Sequence, residues 1–506
     1  MLATSRALAP GAADRAVAVS GPAGGLTRAQ LIARAAALGA RSAGWSEHGD
    51  ARSPYIGLVS DWTPDFVAAF CGLAAAGWAV GVIDPLWSAD EAGGAVAQLD
   101  PCAVLVADGR DDHLARLARS AWRPVDRLTG WTVVAAQRPA APRPVPPARP
   151  DGIFYVGFTS GSAGRPKAFA RTHRSWWESF ERFAEVCPPA PRGPVVSPGP
   201  LSSSHFLFGA LHGLHCGAGV EVTPAADQGA GALARRVADG EAPSALYVVP
   251  TMLARLAASP CGDAADPAYI FCVGARLESA VAAAARRRFP GSRLVEYYGA
   301  SELSFVTIRD HGDAAPPGTV GRAFPGVEVS IRGDGDEPLP PGREGTIFVR
   351  SGLVFAGYRG VAPTGAARAI EGGWLTAGDR GALDADGHLR VAGRGSSLII
   401  RGGANVQPEE VEEVVAAAAG VAACVVVGLP DEAWGEVPVA AVLAEPGAAL
   451  TRAALRAHVA ASLARHKRPR RYVLLDDPPP LGRTGKVDRA AVRATVEAAP
   501  PEREIR

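Results

Sequence analysis

Along the first third of the chain, short apolar runs at 56–59, 78–83 and 103–107 alternate with an Ala-rich helical segment at 64–76 and similar stretches between them. Continuous apolar runs of this length, bounded by turn-formers, read as strands covered on both faces. The alternation predicts α/β architecture with largely buried parallel strands. The uncharged stretch 66–83 approaches the length of a membrane span, but it is Ala-rich and interrupted by Gly72, Gly77 and Gly81. It is therefore expected to be a buried helix turning into a buried strand. Residues 137–150 are dominated by proline and predict a loop or surface linker that delivers the chain to a strand at 153–158. No repeat of fixed period is present, which excludes solenoids and propellers.

The texture changes after Gly393-Arg394-Gly395-Ser396-Ser397. A helix is signalled from Pro408, with proline at its first position, Glu409 and Glu410 in its first turn, and Val411, Val414, Val415 and Ala418 on one face. Strand-like runs follow at 424–427 and 437–443, then an Ala-rich helix at about 451–464. This predicts a small α+β unit of roughly 110 residues, an ordinary domain size.

Composition narrows the class. At 506 residues and 52.0 kDa the chain predicts two or three domains. A formal net charge of +1 leaves no sequence-wide field for a polyanion, so nucleic-acid binding is not expected. Hydrophobic residues at 48% against 20% charged supply the apolar surface that a globular core needs. Seven cysteines without a C-x-x-C pair or metal-ligand cadence suit a reducing compartment, and the start of the chain, with Arg6 and Arg15 in an Ala/Gly/Pro-rich stretch, lacks signal-peptide form. A cytoplasmic protein without a membrane span is the expectation. Of the 52 Lys and Arg residues only Lys167, Lys467 and Lys486 are lysines.

The predicted strand 153–158 runs into Thr159-Ser160-Gly161-Ser162-Ala163-Gly164-Arg165-Pro166-Lys167. Small hydroxyl residues and glycines let backbone N–H groups approach an anion, and a downstream lysine adds a mobile point charge, which suits a phosphate-holding loop. No Walker A pattern overlays it, and on this segment alone a mobile surface loop fits as well. Leu481-Gly482-Arg483-Thr484-Gly485-Lys486-Val487-Asp488-Arg489 places a second lysine in a second glycine-flanked loop. Two apparent motifs are set aside. His212 and His215 stand at helical spacing without a third ligand nearby, so packed or exposed histidines are preferred to a metal site. Gly229-Ala230-Gly231 with Ala234 mimics a dinucleotide fingerprint, but the preceding 224–228 is not a strand. Phe206 and Phe208 read as core or as the wall of an acyl pocket.

Taken in order, these segments resemble the adenylate-forming superfamily of acyl-CoA synthetases, nonribosomal-peptide adenylation domains and beetle luciferases. The first loop is similar to T-S-G-[ST]-T-G-x-P-K-G, and Glu296-Tyr297-Tyr298-Gly299-Ala300-Ser301-Glu302 to Y-G-x-T-E. Gly373-Trp374-Leu375-Thr376-Ala377-Gly378-Asp379 is similar to W-x-x-T-G-D, and Gly393-Arg394 with 399–412 to the superfamily's hinge and G-G-x-x-[IV]-x-P-x-E-[IV]-E segment. The Lys486 loop completes the series, and Asp431-Glu432-Ala433-Trp434-Gly435-Glu436 is similar to a D-E-x-W-G-E stretch of CoA-forming members.

The resemblance implies an α/β fold with a large N-terminal domain, 1–394, of several subdomains with mixed and parallel sheets. A small mobile α+β C-terminal domain, 395–506, would complete a site between the two. It implies a carboxylic acid–CoA ligase using ATP, Mg²⁺ and coenzyme A. Thr159, Ser160, Ser162 and Lys167 would hold phosphates; Tyr298 would lie on adenine, with Gly274 and Ala275 on its other edge. Asp379 would accept the ribose hydroxyls, assisted by Arg394; Glu302 would hold Mg²⁺ and Ser301 would contact the α-phosphate. Lys486 would bridge substrate carboxylate and α-phosphate, and after domain rotation Gly402, Gly403 and the Trp434 stretch would serve the pantetheine thiol. His205 falls in the place of a P-L-x-H segment, with the histidine displaced to 205 or replaced by serine, and is carried as a catalytic candidate. No aspartate that would bind a substrate ammonium is seen there, which favours an acid without an α-amino group.

Four departures qualify the match: Ala163 for threonine, Ala168 for glycine, Ala377 for threonine or serine, and Ser396-Ser397 for a charged pair. A hydroxyl lost from a phosphate cradle costs on the order of 1 kcal/mol of binding. These changes leave open an alternative, in which the chain only transfers a preformed acyl-adenylate (binding AMP rather than ATP) to CoA or a carrier-protein thiol, with a separate adenylating enzyme as partner. A non-catalytic ligand-binding relative is a third class.

Overall fold

The computed structural model describes residues 16–22, 24–48, 54–87, 89–110, 122–136, 145–159, 167–188, 193–223, 242–259, 266–275, 277–360, 367–394, 399–401, 404–406, 408–431, 435–463, 467–482 and 487–505. Chain contacts gather them into two compact units, 1–328 with 349–365, and 329–348 with 366–506. Contacts thus group 329–348 and 366–394 with the C-terminal residues, upstream of the 394/395 division expected from sequence. Strand pairing joins the first two of these segments: Gly345–Arg350 pairs with Asp379–Leu383, which pairs with Leu389–Arg394.

The first unit contains two sheets. In one, the parallel strands Val17–Gly21, Val220–Val222, Val195–Ser197, Ala245–Val248, Tyr269–Cys272 and Arg293–Ala300 are flanked by antiparallel edges, Gly24–Thr27 on one side and Ser304–Asp310 with Arg322–Ala323 on the other. In the other, Ile153–Thr159, Ala79–Ile83, Tyr55–Val59 and Ala103–Ala107 run parallel at the centre, with antiparallel partners outside them. The strands expected at 56–59, 78–83, 103–107 and 153–158 are all present. The 66–83 stretch is most of a buried helix, Pro64–Ala75, followed by the fully covered strand Ala79–Ile83, as its composition predicted. Among the described residues no helix is long and apolar enough to cross a membrane.

Aromatic rings fill the space between helices His173–Val186 and Ser204–His215 and the first sheet. Phe183 packs edge-on against Phe271 at 4.8 Å, and Phe208 against Phe305 at 4.9 Å. Phe206 and Phe208 are buried members of this core. His212 lies inside it, stacked on Phe208 with Nδ1 3.0 Å from the Tyr247 hydroxyl, while His215 pairs with Glu181 at 3.1 Å. These histidines are packed and paired, in agreement with the rejection of a metal reading. Residues 224–241, with the Gly229 motif, lie outside the described residues.

The second unit carries the sheet containing Asp379–Leu383 and another in which Val421–Asp431 and Gly435–Ala444 form a long antiparallel pair joined in parallel by Arg471–Leu475. Helix Pro408–Ala416 buries Pro408, Val411 and Val415, and helix Arg452–Ser462 is capped by the Thr451 hydroxyl. The predicted α+β character of this segment is present.

Burial drives the His212 pKa down to about 3, with His215 adding a smaller push in the same direction. Between about pH 6.5 and 3 the unfolded chain takes up a proton that the folded ring refuses, so folding stability falls with pH across that window. His212→Gln keeps a hydrogen-bonding group for Tyr247 without a titrating ring. It is expected to flatten the stability curve of the first unit by about 1 kcal/mol per pH unit in that window, read from denaturation at several pH values. An unchanged slope would show that the ring is not buried neutral.

Candidate active site

The carboxyl ends of parallel strands are where an open α/β sheet leaves backbone groups and loops free to meet a ligand. Four expected site residues lie along this edge of the first sheet. Gly274 and Ala275 follow strand Tyr269–Cys272, and Gly274 has φ +104°. The neighbouring strand Arg293–Ala300 carries Tyr298, half-buried, beside the fully covered Tyr297. At the start of helix Ser204–His215, His205 sets Nε2 3.0 Å from the Val248 carbonyl, to which it donates, and Nδ1 2.5 Å from the Tyr297 hydroxyl, whose proton a neutral ring accepts. Its ring is therefore fixed against the ends of two strands.

After Ala300 the chain reverses into Ser304–Asp310, and residues 301–303 form the tip that holds Ser301 and Glu302. The turn is tight enough to specify its residues. A Cβ on Gly299 would stand 2.0 Å from the Ser304 carbonyl oxygen, and Ser304 itself adopts φ +63°. Glu302 is 4% exposed; its Oε1 accepts a 2.6 Å hydrogen bond from the Tyr358 hydroxyl and its carbonyl accepts the Phe355 N–H at 2.9 Å.

The second sheet supplies the other side of this arrangement. Strands Ile153–Thr159 and Lys167–Thr172 form an antiparallel pair that ends with Thr159 opposite Lys167, at the two ends of the expected phosphate loop. Ser160 and Ser162 lie outside the described residues. Strand Gly357–Arg359 pairs with Lys167–Thr172, Tyr358 opposite Phe169, so the same short segment touches both the Lys167 strand and Glu302. Beneath them Arg171, 2% exposed, reaches the carbonyls of Ser301 and Leu353. Burial pulls its pKa down to about 10, partly offset by the charges of Tyr155 and Glu302.

Three of these residues carry no motif signal. Arg171 and Tyr358 are described above; the third is Asp84, 3% exposed, whose Oδ2 accepts from Ser202 at 2.8 Å and whose Oδ1 accepts from the Leu86 N–H at 3.0 Å. Their partners lie far away in the chain: Ser301 and Leu353 for Arg171, Glu302 for Tyr358 and Ser202 for Asp84.

In the second unit, Asp379, half-buried, is the cross-strand partner of Arg394, so the two expected ribose residues fall opposite one another. Thr376, 2% exposed, accepts the Gly378 N–H at 3.0 Å, and Gly378 turns at φ +82° into Asp379. Gly402, Gly403, Trp434 and Lys486 lie outside the described residues. Their flanks are paired: Arg401 with Ala404, Asp431 with Gly435, and Leu481 with Val487. Arg489 bonds to Glu409 at 2.9 Å and to Glu412, tying the segment after the Lys486 loop to helix Pro408–Ala416.

Among the described residues no group of three or more His, Cys, Asp or Glu could hold a metal. Glu302 offers one buried carboxylate, which suits an ion that keeps water and phosphate among its ligands, the habit of Mg²⁺.

Known proteins match this arrangement along most of the chain. The model of the AMP-binding enzyme family matches residues 8–359, and that of the AMP-binding enzyme C-terminal domain matches 410–486. An uncharacterized acyl–CoA ligase of Bacillus subtilis, YhfT, is 36% identical over 445 residues, covering 85% of this chain and 86% of that one. A feruloyl-CoA synthase of Amycolatopsis is 31% identical over 349 residues, 68% of this chain and 70% of that one. The solved structure of the amide bond synthetase McbA from Marinactinospora thermotolerans is 27% identical, with a TM-score of 0.82 and coverage of 98% and 99%.

Gly299→Ala is expected to open the turn that presents Glu302 and to cost about 1–3 kcal/mol of stability. The matched control is Gly94→Ala, in helix Ala89–Leu99, where an added Cβ meets nothing within 4 Å. That change should be neutral or stabilising by about 0.5–1 kcal/mol. Denaturant melts of the two variants side by side test the steric argument; equal melts would refute it.

Proposed function

The chain belongs to the AMP-binding enzyme family, and from that premise we propose that it is an AMP-forming carboxylic acid–CoA ligase. In the first half-reaction a carboxylate oxygen attacks the α-phosphorus of ATP and pyrophosphate leaves. In the second, the CoA thiol attacks the acyl-adenylate carbonyl, losing its proton, and AMP leaves. The observation that carries this reading is the meeting, at one hairpin tip, of Glu302 and Ser301 with the segment that pairs to the Lys167 strand. Phosphate-holding and metal-holding groups have to be neighbours if they are to grip the same triphosphate.

The residues divide the work. Thr159, Ser160, Ser162 and Lys167 hold the leaving phosphates, Tyr298 with Gly274 and Ala275 the adenine, and Asp379 with Arg394 the ribose. Glu302 would hold Mg²⁺, which supplies charge neutralisation at the phosphates when bound; the buried carboxylate and the absence of a multi-residue cluster among the described residues fit that ion. Ser301 donates to the α-phosphate. Lys486 would lie against both reacting groups as charge develops. His205, its ring fixed by Tyr297 and Val248, stands on the side of the acid. Gly402, Gly403 and Trp434 serve the thiol, so residues 395–506 act as a mobile domain that takes part in both halves.

Relatives named as CoA ligases and synthases support CoA as acceptor and do not favour the transfer-only alternative. The acid is taken to be one without an α-amino group, because residues 200–206 contain no aspartate to hold a substrate ammonium.

Calorimetric titration should show binding of both Mg·ATP and AMP, and a screen of non-amino acids should find one that drives ATP–pyrophosphate exchange. Binding of AMP alone would overturn the ligase reading in favour of transfer. Lys486→Ala is expected to lower exchange by at least about a hundredfold while leaving CoA acylation from supplied adenylate within a few-fold. Adenylation at the parental rate would remove Lys486 from the mechanism.

A further inference from the structure

Arg171 is a buried cation whose hydrogen bonds, among the described residues, go to neutral acceptors. Its Nε donates to the Ser175 hydroxyl at 3.3 Å, Nη1 to the Ser301 carbonyl at 3.3 Å and Nη2 to the Leu353 carbonyl at 2.6 Å. Burying a guanidinium costs several kcal/mol unless the surroundings compensate, and an apolar side chain would fill an interior position of this strand more cheaply. What the arginine does there follows from its three partners. Ser175 belongs to the helix after its own strand, Ser301 to the hairpin tip of the other sheet, and Leu353 to the stretch leading to Tyr358. The guanidinium is planar and forked, so it can hold two carbonyls at once at fixed separation, which an ammonium on a flexible stem cannot. One of those carbonyls belongs to the residue before Glu302, and the other lies two residues before Phe355, whose N–H holds the Glu302 carbonyl.

We propose that Arg171 is a positioning residue for the Mg·nucleotide, clamping the 301–302 tip to the strand that begins at Lys167 so that the carboxylate and the phosphate-holding lysine stay in register. The inference rests on the ligase reading above. Arg171 is 2% exposed and acts through the Ser301 carbonyl before Glu302 and the Leu353 carbonyl of the segment that holds Glu302. Removing it should therefore loosen the grip on the metal-bearing triphosphate more than the grip on AMP, which needs no metal.

Arg171→Lys keeps the charge and removes the fork; Arg171→Met removes both. Calorimetry on the full chain, with Mg·ATP and with AMP, is expected to show Arg171→Lys weakening Mg·ATP at least about fivefold and AMP less than about twofold, and Arg171→Met at least about tenfold and less than about threefold. The Mg²⁺ concentration giving half-maximal pyrophosphate exchange should rise in the same order. Equal losses for Mg·ATP and AMP would show a general structural role and overturn the proposal, as would parental Mg·ATP affinity in a folded Arg171→Lys. If Arg171→Met fails to fold, Arg171→Lys alone decides. If neither folds, the arginine is a fold requirement only and the proposal fails. A parent chain that binds no Mg·ATP would refute the ligase reading itself, a result distinct from all of these.

Discussion

Two sheets with separate strand orders meet at the 301–303 tip, where the Arg171 bond to the Ser301 carbonyl, together with the hydrogen bonds that Glu302 makes to the segment following Leu353, holds them in common register. Its carbonyl takes the Phe355 N–H and its carboxylate the Tyr358 hydroxyl, while Tyr358 is itself paired opposite Phe169. Strand pairing inside each sheet fixes only that sheet's own loops. The distance between a lysine carried by one and a carboxylate carried by the other is set by these cross-sheet bonds. Close approach at Gly299 then leaves the tip little freedom to answer a change on either side. A geometry of this kind is preorganised: the cost of ordering the groups is met during folding rather than at binding.

The same logic separates the interior of the first unit from its edge. Phe183, Phe208, Phe305 and Tyr297 pack as a continuous aromatic core, and within it polar atoms such as those of His212 and Tyr247 satisfy one another. His205 lies where that core ends. Its ring bonds back to Tyr297 and Val248, so the histidine is rigid although it is only half-buried. Rigid side chains at the carboxyl ends of strands, held from behind by the core, are what a site needs in order to be both polar and well defined.

Much of this was readable from the chain alone, and the parts that were not share a cause. Apolar runs gave the strands around Ile56, Val80 and Val104, and proline with two glutamates gave the helix at 408. These signals are local, because burial on both faces or capping leaves its mark within a few residues. The motif residues Tyr298, Glu302 and Asp379 were legible through their order, and the pairing of Asp379 with Arg394 follows from the strands that the motifs delimit. Arg171 was invisible. It is one arginine among many, and its partners include backbone carbonyls 130 and 182 residues away that no side-chain pattern can announce. Asp84 and Tyr358 were hidden too, because their side-chain partners, Ser202 and Glu302, lie far away in the chain. The grouping of 329–348 with the C-terminal residues was also hidden, since it depends on which distant strands pair and not on composition.

The scarcity of lysine acquires a physical meaning from these placements. Where a cation must hold several acceptors at fixed separation, the chain uses arginine, as at Arg171 with two carbonyls and a hydroxyl, and at Arg489 with two glutamates and the Val426 carbonyl. Lysine appears at both glycine-flanked loops, where a compact charge on a flexible stem can follow phosphate or carboxylate as bonds change. Lys467 shows that the division is a matter of geometry and not of catalysis alone. Its ammonium meets both oxygens of Glu410 at 2.7 Å, a point charge between two acceptors of one carboxylate. The chemistry of the family asks for both kinds of cation: forks that keep the frame still, and point charges that move within it. An arginine-rich chain with lysine at 167 and 486 carries the flexible-stemmed cation in its two glycine-flanked loops.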